Sequence, residues 1–366
     1  MDINKQQLVD ETRMLGNALY NGISRDRIAR EYSTFITLNA IIRTLLGSHL
    51  NIEIILKKYP NIVKFVNNEN NKSLQNFNSR VLREKDLFEE IFCNHAYIYN
   101  ESDMLTYTCG GDFRRYSVSD AKDILFSYFS EYGNKVYQIV KKYFDEERIQ
   151  LGFKDECDEF SAVAFFTGSI LLEKGYICVT HDKIDSSTLG YLAHEFGHVI
   201  DKELFYYPQQ KKIKSFDDPF NEVPAAFFDW GMLDFLQENK IAENDSLTLK
   251  GFSFNQMFFR NLYLSHMIMT KDFKLDGIEL SDDFRNLFLY SMGYDIGLAM
   301  NDVARYDREG YMKCFANFIC SRNEADFITL LENAGVNSND YINGDILDRN
   351  IDVTLKQMKK RYNIKE

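Results

Sequence analysis

The chain has 366 residues, of which 55 are acidic and 43 basic, so its formal net charge is −12. This acidic balance disfavours nucleic acids and anionic membranes as partners, because both bind to basic surfaces. No stretch of about 18 apolar residues could span a membrane, since Arg43 interrupts the most hydrophobic region. The first residues lack the basic and apolar segments of a signal peptide, which predicts a cytoplasmic protein.

Helical periodicity dominates the sequence. Residues 121–128 and 136–143 each carry apolar side chains at i, i+3, i+4 and i+7, the spacing of an amphipathic helix. Ser117 or Ser119 is suitably placed to cap the first of these helices. Earlier in the chain, the asparagine-rich residues 67–79 predict a flexible connection between helical segments. The predicted fold class is therefore mainly α.

Two short segments predict a small β-sheet. Residues 162–167 and 176–180 are β-branched or aromatic and are bounded by glycines. Both segments lie just before the helix that follows in the chain. An edge strand of such a sheet, for which residues 176–180 are the candidate, could bind an extended peptide through main-chain hydrogen bonds. A purely structural hairpin is an equally good interpretation.

The stretch His194-Glu195-Phe196-Gly197-His198 predicts a metal site. It continues an amphipathic helical pattern that begins near residue 187. Residues four apart on a helix lie above one another, so His194 and His198 can bind one cation from the same face. Glu195 is placed to reach a water on that cation without binding the metal itself. Zinc hydrolases use this arrangement, with two histidine ligands and a carboxylate as general base.

A catalytic zinc usually has a third protein ligand, and Glu222 is the best candidate. Asn221 could cap a helix whose first turn tolerates Pro224. Asp229, seven residues beyond Glu222, would lie on the same helix face and could orient a ligand imidazole. An exposed glutamate at a helix start is the alternative interpretation of Glu222, because the helix dipole favours an acid there.

Residues 188–199 and 221–224 resemble the thimet oligopeptidase and oligoendopeptidase F family of zinc peptidases. That family's third ligand is a glutamate in a Glu-x-Pro-Ser setting, with a second acid seven positions later. The resemblance places these roles on Glu222 and Asp229, with Ala225 in place of the serine and an aspartate in place of the usual glutamate.

Other segments extend the resemblance and also mark departures from it. Residues 116–149 and 311–336 are similar to the oligoendopeptidase F branch. The family carries tyrosines on a late helix that faces the zinc, and these match Tyr290 and Tyr294. Phe284 stands where the family has a histidine, and Asp201 replaces the histidine that commonly follows the metal motif.

The resemblance implies a helical, two-lobed metallopeptidase with a deep cleft and a small β-sheet beside the metal-binding helix. Its zinc peptidase domain is predicted over residues 105–345, after an unmatched helical region at 1–104 and before a C-terminal helical tail of the same domain at 346–366. The expected cofactor is one Zn²⁺ per chain, and the expected partners are oligopeptide substrates; the sequence leaves the oligomeric state open.

The implied activity is hydrolysis of internal bonds in short unstructured peptides. Glu195 would act as general base, and Tyr290 or Tyr294 would stabilise the oxyanion. Two alternatives stay open. The protein could be a pseudo-peptidase that serves as a binding module, as Phe284 suggests, or a protease dedicated to one protein substrate.

Overall fold

The computed structural model describes residues 1–23, 25–101, 112–153, 163–209, 219–269 and 282–362. Over these residues the protein is mainly helical, with a small three-stranded sheet, and the predicted fold class is confirmed. The α-helices that the described ranges contain are α1 (Lys5–Asn21), α2 (Arg25–Leu46), α3 (Glu53–Lys58), α4 (Ile62–Arg83), α5 (Lys85–Glu101), α6 (Val118–Ser130), α7 (Asn134–Asp145), α8 (Ser186–Ile200), α9 (Val223–Glu238), α10 (Glu243–Met269), α11 (Asp282–Ala304), α12 (Arg308–Ser321), α13 (Phe327–Asn333), α14 (Ser338–Ile342) and α15 (Asp345–Tyr362); a π-helix at Asp201–Tyr206 and a 3-10 helix at Tyr207–Gln209 follow α8. None of them is long and apolar enough to cross a membrane.

The sheet contains β1 (Ile149–Leu151), β2 (Ala164–Ser169) and β3 (Lys174–Val179), in the order β1-β3-β2. β1 pairs with β3 in parallel and β2 pairs with β3 antiparallel. The two predicted strands therefore exist, whereas β1, only three residues long, was missed. The expectation that residues 176–180 form an edge strand is wrong, because β3 is paired on both sides. Within the described part of the chain, β1 and β2 are therefore the two edge strands of the sheet.

Two of the helices follow the predicted apolar spacing closely. α6 begins after Ser117, whose hydroxyl accepts from the Asp120 amide while the Asp120 carboxylate bonds back to Ser117. This reciprocal capping satisfies two amide donors at the start of the helix. Val136, Val140 and Tyr143 form the buried face of α7.

Residues 67–79 lie inside helix α4, so the predicted flexible connection is wrong. Apolar or small side chains at 62, 66, 74, 77 and 81 fall near one face of this helix, and Ile62, Phe77 and Val81 are buried. The many asparagines lie mainly on the solvent side, where helix propensity matters less than packing of the opposite face. The helix was not predicted from the sequence because the segment is mostly polar, and its packing against the rest of the protein stabilises it.

Aromatic side chains form the main core around α8 and α9. Phe196 of α8 packs edge-on against Phe129 of α6, with ring centroids 5.4 Å apart. Phe129 in turn contacts Phe228 of α9, which contacts Phe315 of α12. These rings bury large apolar areas and favour tilted or edge-on contacts. Helix α8 is thus held rigidly between the sheet and α9.

A buried ionic cluster joins α1 to the sheet. The Arg148 guanidinium, whose side chain is fully buried, donates to both carboxylate oxygens of Glu11 at 2.8 and 3.0 Å. Tyr176 of β3 donates to Glu11 as well, at 2.7 Å. Burial alone would raise the pKa of the Glu11 carboxyl, but these hydrogen bonds and the charge of Arg148 lower it to about 2.

We expect Glu11→Gln to lower the free energy of unfolding by about 3–5 kcal/mol at neutral pH, because the buried charge of Arg148 loses its main counter-ion. The pKa of Glu11 in the folded state, about 2, lies below its ordinary value of 4.5. The pair's contribution is therefore complete above pH 4.5 and is lost as the pH falls through 2. Urea unfolding followed by circular dichroism at stepwise pH should show the gap between wild type and variant narrowing below about pH 5.

The control for this prediction is Glu53→Gln, which removes an ion pair with Lys57 whose side chains are 69% and 80% exposed. Such surface pairs contribute little to stability, so the free energy of unfolding should change by less than about 0.5 kcal/mol. A gap for Glu11→Gln that stays the same from pH 7 to pH 2 would contradict the proposed role of the carboxylate charge.

Candidate metal centre

Helix α8 places two histidines on one face, as the spacing predicts. It begins after Asp185, whose carboxylate accepts from the amides of Ser187 and Thr188 and so caps the helix. His194 and His198 follow two and three turns later, with ring centroids 5.2 Å apart. Both side chains are mostly buried, with 12% and 14% of their surface exposed.

Glu222 completes a three-residue cluster with these histidines. Its Oε2 lies 3.4 Å from Nε2 of His194 and 3.5 Å from Nε2 of His198. One ligand atom from each of the three residues falls within 4.8 Å of the others, so the group could hold a metal ion. Glu222 is itself the residue that precedes α9, and Pro224 lies in the first turn. Asn221 therefore does not cap this helix, contrary to the prediction.

The donor atoms of this cluster fit a bound cation. Glu222 Oε2 is buried and has no hydrogen-bond partner among the described groups, although two imidazole nitrogens face it. Buried polar atoms are nearly always satisfied, so an unsatisfied carboxylate oxygen between two nitrogen ligands points to a missing positive partner. Two imidazole nitrogens and one carboxylate oxygen are a ligand set that zinc accepts.

The charges around the cluster also favour a cation. Burial alone would lower the pKa of His194, yet the carboxylates of Glu222, Glu195 and Asp229 raise it to about 9. Burial likewise opposes ionisation of Glu222, but His198 and His194 hold the pKa of its carboxyl well below the usual range. Three carboxyl groups thus lie near the two imidazoles in a buried place, a setting that favours a bound cation.

Glu195 points toward the sheet side of the site. Its carboxylate is buried and accepts a hydrogen bond from the main-chain amide of Phe166 in β2. Burial raises the pKa of Glu195, while the neighbouring His194 and His198 act in the opposite direction. A carboxylate whose proton affinity is raised in this way is a better base at neutral pH. The contact with Phe166 also places the β2 edge next to the candidate metal ligands.

Helix α11 brings Tyr294 against the ligands. The Tyr294 ring stacks on His194, with centroids 6.2 Å apart and planes 25° apart. Its hydroxyl donates to Asp229 Oδ2 at 2.9 Å. Asp229 was predicted to orient a ligand imidazole, but within the described residues Nδ1 of His194 has no hydrogen-bond partner. The hydrogen bond that the structure gives Asp229 is therefore with the tyrosine.

Tyr290, one turn before Tyr294, is more accessible, with 40% of its surface exposed. The charge of Glu222, followed by burial, raises the pKa of the Tyr290 hydroxyl to about 12. This hydroxyl is therefore protonated at neutral pH and remains a hydrogen-bond donor. Phe284, which the resemblance places opposite the metal, is instead fully buried in the main core beside Phe288.

Asp201, at the end of α8, forms a buried ion pair that joins two helices. Its carboxylate is buried and pairs with Arg322 at 2.9 Å. Burial opposes ionisation, but Arg322 and then Lys202 lower the pKa of Asp201 below its ordinary value. The aspartate that departs from the family pattern thus ties α8 to the end of α12.

Arg260 of α10 also belongs to the site, although no sequence pattern indicated it. The central carbon of its guanidinium lies 5.2 Å from the ring centroid of Tyr290 and 5.8 Å from that of Tyr294. Both distances are within the range of cation–π attraction. The residue lies far from the metal motif in the chain, so only the packing of α10 against α11 brings it here.

Two glycines allow the ligand-bearing elements to meet. A Cβ on Gly197 would lie 2.5 Å from Cα of Ala225 and 2.6 Å from the carbonyl oxygen of Pro224. A Cβ on Gly293 of α11 would lie 2.6 Å from Cβ of Glu222. Real side chains do not tolerate such contacts, so α8, α9 and α11 can approach closely only because these positions are glycine.

Comparison with known proteins supports the fold. No protein-family model matches the sequence, and no curated protein matches it. Solved structures do match. A candidate peptidase from Chlamydophila abortus has a TM-score of 0.50 and 13% identity, over 97% of this chain and 63% of that one. A candidate oligoendopeptidase F from Bacillus anthracis str. Ames has a TM-score of 0.49 and 13% identity, over 88% and 62% of the two chains.

The resemblance predicted from the sequence is confirmed at the level of the fold, which is all that such low identity shows. The match to the Chlamydophila abortus structure covers 97% of this chain and so extends over N-terminal helices for which the sequence offered no match. This chain spans less than two thirds of the length of either protein.

We expect Gly197→Ala to weaken metal binding, because the added methyl group would push α9 away from α8 and move Glu222 from the histidines. Overpacking of this kind commonly costs about 1–3 kcal/mol of stability. Isothermal titration with Zn²⁺, alongside thermal unfolding, would measure both effects.

Gly16→Ala is the matched control, since its new Cβ would lie 2.9 Å from the Phe35 ring, between α1 and α2. It should lower stability without changing zinc affinity in the folded protein. Equal zinc affinity of Gly197→Ala and wild type would show that ligand placement does not depend on this helix contact.

Proposed function

We propose that this protein is a zinc-dependent endopeptidase that hydrolyses internal bonds of short unstructured peptides. The observation that supports this most strongly is the convergence of His194 Nε2, His198 Nε2 and Glu222 Oε2 on one buried place. The likeness of fold to a candidate peptidase structure agrees with it. In this proposal His194, His198 and Glu222 hold one Zn²⁺ per chain.

Glu195 is the proposed general base. When bound, zinc supplies Lewis-acid polarisation of a carbonyl group and activation of water. Glu195 would take a proton from the attacking water and deliver it to the leaving amine. Its raised pKa suits both transfers, and the hydrogen bond from Phe166 fixes the carboxylate beside the histidines.

We assign different roles to the two tyrosines. Tyr294 donates to Asp229 and stacks on His194, so it positions the ligand helix. Tyr290 is exposed, lies near Glu222 and keeps its proton, which makes it the better donor to a developing oxyanion. One well-placed donor of this kind contributes about 2.7–4 kcal/mol to catalysis.

The β2 edge is the proposed binding site for the peptide main chain. It adjoins Glu195 through Phe166, and β3 pairs with its other side. An extended peptide could add to this edge with little side-chain preference. A folded protein would first have to unfold, at a cost of commonly 5–15 kcal/mol, so we expect unstructured peptides to be the main substrates.

Glu195→Gln should retain close to one Zn²⁺ per chain and lose nearly all hydrolysis, because it removes the base and leaves the metal ligands intact. Metal analysis and a mass-spectrometric assay on a mixed peptide pool would test this, with chelator-treated wild type as the second control. Full activity of Glu195→Gln would refute the mechanism. Zinc without any hydrolysis by wild type would favour the binding-module alternative.

Tyr290→Phe should reduce kcat by about 10²–10³-fold with little change in KM, since its hydroxyl is needed mainly in the transition state. Tyr294→Phe is the matched control: it removes one hydroxyl one turn away, and we expect a smaller loss of kcat, together with weaker zinc binding. Steady-state kinetics and zinc titration would separate the two. The reverse ranking of the kcat losses would transfer the oxyanion role to Tyr294.

A further inference from the structure

Arg260 has a hydrogen-bonding group that the described protein leaves unused. Its Nη2 donates to Gln256 Oε1 at 3.3 Å, one turn back on α10. Its Nη1 is buried and has no hydrogen-bond partner among the described residues. Within these residues no carboxylate forms an ion pair with it either. A buried donor without a partner is uncommon in folded proteins, so this group is a candidate contact for a ligand.

The aromatic neighbours hold this guanidinium in place without neutralising it. Cation–π attraction to the rings of Tyr290 and Tyr294 holds the guanidinium beside them. The cation–π contact involves the ring faces, so the N–H groups at the edge of the guanidinium remain available for hydrogen bonds. The Gln256 contact occupies one N–H of Nη2, and Nη1 has no partner among the described residues, so the guanidinium keeps donors for a ligand.

The surface around Arg260 is partly accessible. Tyr290, which the guanidinium covers, is 40% exposed, and on the same helix Phe259 and Tyr263 are 60% and 52% exposed. Arg260 itself is only partly buried. A peptide bound at the metal ligands could therefore reach Arg260 past Tyr290. Among the described residues, Glu222 faces the two histidines and Asp229 accepts from Tyr294, and neither forms an ion pair with Arg260.

We propose that Arg260 binds a carboxylate of the peptide substrate, either its C-terminal carboxylate or an acidic side chain. This inference rests on the proposed peptidase function and specifies its substrate class. Arginine is suited to the role because its planar N–H groups match the two oxygens of a carboxylate. The same contact orients the peptide along α10 and α11, with its scissile bond between Tyr290 and Glu195.

Peptide binding to the zinc-loaded Glu195→Gln protein tests the proposal without needing turnover. Three forms of one fluorescent peptide are compared by anisotropy: a free acid, its C-terminal amide, and that amide with one aspartate added. We expect the free acid or the aspartate form to bind about 10- to 100-fold more tightly than the plain amide, the range for hydrogen bonds to a charged group.

The preference should disappear when Arg260→Gln is added to Glu195→Gln, and Arg260→Lys should restore only part of it, because lysine keeps the charge but loses the planar fork. Arg349→Gln, an exposed position on α15, makes the same change in net charge and should keep the full preference. Each preference is a ratio measured within one protein, so a general loss of stability does not imitate the effect.

The outcomes are distinguishable. A preference for the free acid that depends on Arg260 identifies the C-terminal carboxylate, and a preference for the aspartate form identifies a side chain. Equal binding of all three forms, or a preference that survives Arg260→Gln, overturns the inference even if wild type cleaves peptides. A preference that depends on Arg260 in a protein without hydrolysis would refute the proposed function and keep Arg260 as a carboxylate-binding residue.

Discussion

The close contact between α8 and α9 is the constraint on which the rest of the site depends. Gly197 lets the main chain of α8 meet Ala225 and Pro224 of α9, and this contact carries Glu222 to the two histidines. The aromatic core around Phe196 holds the pair together from the other side. Because packed interiors do not deform gradually, the three ligand atoms stay close to one another only while this helix contact is intact.

Opposing charges then divide the site into two parts. On one side, three carboxyl groups lie near the two imidazoles, which favours a bound cation and raises the pKa of His194. On the other side, α10 and α11 bring Arg260 over Tyr290 and Tyr294, where it lacks a carboxylate partner among the described residues. A peptide with a scissile carbonyl at the first part and a carboxylate at the second would complement both.

The cluster of three candidate metal ligands could be predicted because its signal is local. His194 and His198 are one helical turn apart, and Glu222 lies in a short family-like segment. Arg260 could not be predicted, since its partners come from another helix and no spacing links them. α4 was missed because its polar residues outnumber the few apolar ones that pack, and β1 because three residues carry too little periodicity. The burial of Phe284 in the main core and the central place of β3 in the sheet both depend on which elements pack together, which the sequence alone does not specify.

X-ray absorption spectroscopy at the zinc edge of the zinc-loaded protein tests the central claim most directly, because it reports the atoms that bind the metal. Zinc held by His194, His198 and Glu222 should show nitrogen and oxygen neighbours at about 2.0–2.2 Å, with two imidazole signatures. Glu222→Ala should lose one oxygen neighbour and keep both imidazoles. Sulfur neighbours at about 2.3 Å, or a spectrum unchanged in Glu222→Ala, would contradict this site.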